Sequence, residues 1–117
     1  MTTPEPKSEA RLILTTTGSI EAAQRIAHAL VEQKLAACVN LIPNLTSIYH
    51  WQGATETASE VLLLIKTTTQ HLRTIESTLR QLHAYEVPEF LVLPIESGSQ
   101  PYLDWLSASV SSQNQKY

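Results

Sequence analysis

The chain has 117 residues, 43% apolar and 16% charged, with a net charge of −3 and one cysteine. That is enough apolar material for one domain with its own core, and too little charge for a disordered chain. The eight Lys and Arg residues are scattered, so no basic track follows a phosphate backbone and nucleic acid is not an expected partner. A lone cysteine, Cys38, excludes an internal disulfide and suits a reducing compartment. The first ten residues lack a secretory apolar core, and the longest apolar run, "VLLLI" at 61–65, is far too short to span a bilayer. A cytoplasmic location is expected, with no membrane partner.

In chain order, residues 1–9 are polar and proline-bearing and read as a disordered tail, ahead of a single domain over 10–112. "RLILTTT" (11–17) predicts a strand. Ser19 is placed to cap a helix whose apolar positions, Ile20, Ala23, Ile26, Ala27, Leu30 and Val31, recur at helical spacing to about Leu35. "ACVNLIPNLTSIYHW" (37–51) predicts a long strand, bent or bulged at Pro43. "QGATET" predicts the turn and "SEVLLLIKT" (59–67) the return strand. Thr68 or Thr69 is the expected cap of a second helix, with Leu72, Ile75, Leu79 and Leu82 on one face. "HAYEVPE" ends that helix, since the valine before Pro88 is pushed to extended geometry. "FLVLPI" (90–95) is the fourth strand. Pro101 opens a last helix over 101–110, and residues 113–117 form a polar tail. The order β-α-β-β-α-β plus a terminal helix is the α+β, ferredoxin-like split βαβ arrangement.

Three of the strands are apolar on both faces, although two helices can cover only one face of such a sheet. Leu62 and Leu64 oppose Val61, Leu63 and Ile65, while Leu12 and Leu14 oppose Ile13. Covering the second face calls for another copy of the chain, or for the long hairpin folded back on its own sheet.

Candidate chemistry is sparse. Cys38 reads first as a small buried hydrophobe and second as a ligand. His28, His50, His71 and His83 form no zinc-type pair; His28 and His71 are expected at the surface, and His83 at a helix C-terminus. Glu86 and Glu89 read as solvated charge. Lys66 shares a strand face with Leu62 and Leu64 and calls for a partner, Glu60 or Glu89. The isolated glycines form no phosphate loop, and the single aspartate, Asp104, supports neither a triad nor a hard-cation cage.

"ACVNLIPNLTSIYHWQG", "SEVLLLIKT", "HAYEVPEFLVLPI" and "YLDWL", in this order and spacing, resemble the CutA divalent-cation-tolerance proteins over about residues 11–110. The resemblance implies a non-catalytic ferredoxin-like homotrimer, with hairpin strands pairing across subunits and a fold similar to the PII signalling proteins. It also implies a function in tolerance of divalent metals, copper especially. By position, Cys38 and His83 are the implied metal ligands, and thiolate with imidazole suits copper. Trp51, Lys66, Tyr85 and Glu89 are the implied lining of an intersubunit cleft. A PII-like module that binds a small anionic effector through Lys66 is the alternative expectation. Ala84 stands where the family usually has proline, which frees the turn beside His83.

Overall fold

The β-branched run that opens the domain becomes an inner strand of the sheet. In a computed structural model, which describes residues 8–111, the order is β1 (Ala10–Thr17), α1 (Ile20–Glu32), β2 (Cys38–Trp51), β3 (Ala54–Thr68), α2 (Leu72–Leu82), β4 (Leu91–Pro94) and α3 (Gln100–Ser109). The strands form one sheet in the order β2-β3-β1-β4, every neighbouring pair antiparallel. This is the ferredoxin-like α+β arrangement. The polar tail over 113–117 lies outside the described residues, as does most of the one over 1–9; Glu9 accepts a backbone hydrogen bond from Thr69.

Strand alternation decides what the core contains. Ile13 of β1 and Val61, Leu63 and Ile65 of β3 point to one face, where Ala23, Ile26 and Leu30 of α1 and Ile75 and Leu79 of α2 seal them. Ser19 caps α1 by accepting from the Ala22 amide. Helix α1 stops three residues before the expected Leu35. Lys34 takes a left-handed φ of 59°, and the Leu35 and Ala36 amides return to the Leu30 carbonyl.

The opposite face carries Leu12, Leu14, Leu62 and Leu64, aligned by the register Leu12↔Lys66, Leu14↔Leu64 and Thr16↔Leu62. Helix α3 lies against β1 and β3 at the Lys66 end of this face, burying its own Leu106 and Val110. It leaves the rest open. Ile42 is 42% exposed, Leu93 41% and Leu91 55%.

The long hairpin departs from expectation at its tip. Gln52 (φ 50°) and Gly53 (φ 83°) alone make a two-residue turn between Trp51 and Ala54, so β3 begins five residues earlier than the sequence pattern indicated. Two successive left-handed residues match the twist of the flanking strands. The bulge expected at Pro43 is present as a register shift between Ile42 and Leu45, with Asn44 left-handed. Neither threonine caps α2 through its side chain. The chain enters through a 3-10 turn over Thr69–His71 instead, and the Thr69 hydroxyl bonds Glu9. Leu82, expected on the buried face of α2, is exposed.

The left-handed Lys34 gives a direct test. Glycine relieves the Cβ clash there but frees the unfolded chain. Lys34→Gly is expected to raise stability by about 0.5 kcal/mol, read by urea unfolding at fixed protein concentration.

Candidate site at the α2–β4 segment

The segment 83–90 links the end of α2 to β4, and it is tied down by two side chains. His83 closes α2, its amide donating to the Leu79 carbonyl. Its ring then bridges two backbones: Nε2 lies 2.6 Å from the Thr16 carbonyl, and Nδ1 lies 3.0 Å from the Tyr85 amide. An amide can only donate, so Nδ1 is the bare acceptor and Nε2 carries the proton that Thr16 receives. Tyr85 stacks at a tilt on the same ring, 4.6 Å between centroids. Its hydroxyl donates to Glu60 Oε2 at 2.6 Å.

Glu60 ends the buried stretch of β3 and is only 9% exposed. A carboxylate so placed needs a donor, and the phenol supplies it. Burial, reinforced by the hydrogen bond and charge of Glu60 and the nearby Tyr49, pushes the Tyr85 hydroxyl up from 10.0 to about 12. Gly18, in the β1–α1 turn, faces the Tyr85 hydroxyl, which a Cβ there would meet at 3.4 Å. The sequence pattern raised Glu60 only as a partner for Lys66; the lone acid before "VLLLI" was the signal for this contact.

Beyond this latch, Tyr85, Val87, Pro88 and Phe90 face Leu79 of α2 across a groove of about 370 Å³. Glu76, Glu86, Glu89 and Arg80 form its charged margin. Tyr85 and Glu89, two of the four residues expected in a cleft, therefore meet within one chain. The other two do not join them. Lys66 is six residues from Glu60 along β3, about 20 Å away. Its ammonium sits 3.4 Å from the Tyr102 hydroxyl and 5.7 Å from that ring's centre, so α3 supplies the partner expected from Glu60 or Glu89. Trp51 pairs with Ala54 at the exposed hairpin tip, again about 20 Å from Glu60.

The implied metal ligands are also apart. Cys38 pairs with Lys66, which pairs with Leu12; His83 bonds Thr16, four residues and about 13 Å farther along β1. Cys38 is half-buried, its thiol 3.7 Å from the Asn40 side-chain oxygen. No group of three or more His, Cys, Asp or Glu side chains among the described residues is placed to hold a metal ion. The other histidines are structural or solvated. His71, expected at the surface, is half-buried because its Nε2 lies 2.6 Å from the Val110 carbonyl and ties α3 to the start of α2. His28 is exposed beside Glu32, and His50 is exposed in the hairpin.

Residues 11–109 match the family model of the CutA1 divalent ion tolerance protein. The chain belongs to that family. A divalent-cation tolerance protein CutA of Thermus thermophilus is 52% identical over 95 residues, covering 81% of this chain and 92% of its own. One from Pectobacterium atrosepticum is 46% identical over 105 residues, covering 90% and 96%. The solved CutA structure from Xylella fastidiosa superposes with a TM-score of 0.87 at 36% identity, over 89% of this chain and all of that one. Among the described residues of this chain, no helix is long and apolar enough to cross a membrane.

Two outcomes test the latch. Nitrogen NMR of the His83 ring at neutral pH should show the Nε2–H tautomer. Tyr85→Phe keeps the ring and loses the donor to Glu60, so it should cost about 1 kcal/mol. The folded Tyr85 pKa lies above the unfolded one. The stabilisation carried by its neutral phenol is therefore complete below about pH 10 and disappears as pH rises through about 12. Absorbance titration should lose its latest-ionising tyrosine in the Phe variant.

Proposed function

We propose that the protein is a non-catalytic homotrimer of the cytoplasm that binds a divalent metal ion, copper above all, and serves tolerance of such ions. The observation that carries this reading is the match of residues 11–109 to the divalent ion tolerance family, beside an apolar sheet face left open on the single chain. Within one chain Cys38 and His83 are offset by about 13 Å along the strands and by two further strand spacings, so a shared ion needs donors from different chains. Another copy seated on Ile42, Leu91 and Leu93 would cover that face and could bring a thiol and an imidazole from different chains together. The relatives' names, divalent-cation tolerance proteins, support the same reading. A reducing compartment keeps the Cys38 thiol available as a soft ligand.

His83 enters such a site at a cost. Both ring nitrogens are engaged, so coordination must displace either the Tyr85 amide at Nδ1 or the Thr16 carbonyl at Nε2. Loss of the Nδ1 bond would loosen the 84–89 segment first, because Thr16 belongs to the sheet. Metal uptake and the position of Tyr85 are coupled in this reading.

The groove beside Tyr85 and Glu89 favours a second function for the same assembly, a PII-like module that binds a small effector in a cleft between subunits. Its volume of about 370 Å³ lies within the range of small-ligand sites.

Calorimetric titration of Cu²⁺ into the purified protein tests the metal reading. Saturable binding is expected near one ion per chain or per trimer, weakened at least about tenfold in Cys38→Ser and in His83→Ala. Binding that survives both substitutions unchanged would overturn these ligands. Light scattering should give three times the chain mass; a monomer would sink the intersubunit site.

A further inference from the structure

We infer that His28 and Glu32, on the outer face of α1, chelate a divalent transition-metal ion of the zinc or copper class within a single chain, apart from Cys38 and His83. Helical phase builds the pair. Ala23, Ile26 and Leu30 turn α1 inward, which puts Gln24, His28 and Glu32, four residues apart, in one row on the solvent side. The His28 Nδ1 and the Glu32 Oε2 converge to 3.7 Å, and both side chains are open to solvent. That gap is too long for a hydrogen bond and suits a chelate. Bonds of about 2.1 Å from one ion to each atom enclose an angle of about 120°, within reach of four- and five-coordinate geometry. Gln24 is in the same row for a third donor oxygen, and water completes the shell.

The electrostatics of the helix end favour a cation there. Glu32 is the last residue of α1, where the aligned carbonyls carry partial negative charge and an acid is disfavoured. The last turn holds no basic side chain. Among the described residues, His28 is the sole ion-pair partner of Glu32. A divalent ion between the two relieves both the carboxylate and the helix end. Arg25, one turn before His28 in the same shallow recess, is the adverse charge. Imidazole beside one carboxylate selects transition ions; Mg²⁺ and Ca²⁺ require more oxygens than this row supplies. Both donors belong to one helix, so the site is present in each copy whatever the assembly.

Zinc chloride titrated into the uniformly ¹⁵N-labelled full chain, with backbone amides and histidine ring nitrogens as readout, tests the site. Saturable shifts are expected from Gln24 to Glu32, with the His28 Nδ1 resonance moving most. His28→Gln should abolish them, and Glu32→Gln should weaken binding at least about tenfold. Arg25→Gln should tighten it roughly two- to fivefold, the scale of one exposed charge. All three positions are exposed and glutamine is a good helix former, so the fold is kept. Cys38→Ser should leave the shifts unchanged. Shifts that survive His28→Gln, that vanish in Cys38→Ser or that Mg²⁺ reproduces would overturn the chelate, as would no saturable shift at all. The Cu²⁺ binding lost in Cys38→Ser and His83→Ala is a separate quantity, because neither residue belongs to this pair.

Discussion

The pairing of β1 with β3 imposes the constraint from which the rest follows. Both strands are inner strands and both are apolar on each face, from Leu12 to Leu14 and from Val61 to Ile65. A sheet with such a centre cannot be satisfied by one helical layer. Helices α1 and α2 take Ile13, Leu63 and Ile65. Helix α3, ten residues long, reaches the other face only around Lys66. The remaining leucines are half-buried at best, and the outer leucines of β4 continue the same open surface. The proposed assembly would bury this surface, and the part of the face that α3 leaves bare would set where its copies meet.

The same geometry explains what the sequence made legible. Period-two and period-3.6 patterns report burial, so elements that bury apolar side chains were readable, down to the bulge at Pro43 and the Ser19 cap. Elements made by backbone geometry were less so. The turn at Gln52–Gly53 is two residues long, but "GATET" carries no apolar alternation to announce that β3 has already begun. Lys34 ends α1 in a conformation usually given to glycine, which hid the stop. Leu82 fits the helical stripe of α2, yet the helix ends there and the side chain stays 40% exposed.

Family resemblance put Trp51, Lys66, Tyr85 and Glu89 in one intersubunit cleft, and resemblance does not distinguish one chain from several. Within one chain only Tyr85 and Glu89, four residues apart in sequence, line the same groove. Strand register separates Lys66 and Trp51 from them: six residues along β3 in either direction from Glu60 is about 20 Å. The contact between Tyr85 and Glu60, 25 residues apart, carries no local pattern. Nor does the bond of His71 to the last turn of α3. Long-range polar contacts of this kind depend on how helices lie across the sheet, which no local window contains.

The imidazole of His83 makes the α2–β4 segment a single mechanical unit. Its ring fixes the Tyr85 amide to the end of β1, and the Tyr85 phenol fixes the segment to β3. A change at either end is felt along the whole of 83–90, including the wall of the groove. Coordination of a metal at His83 would have to break one of its two bonds, so in the proposed site metal uptake and the orientation of Tyr85 are coupled through this latch.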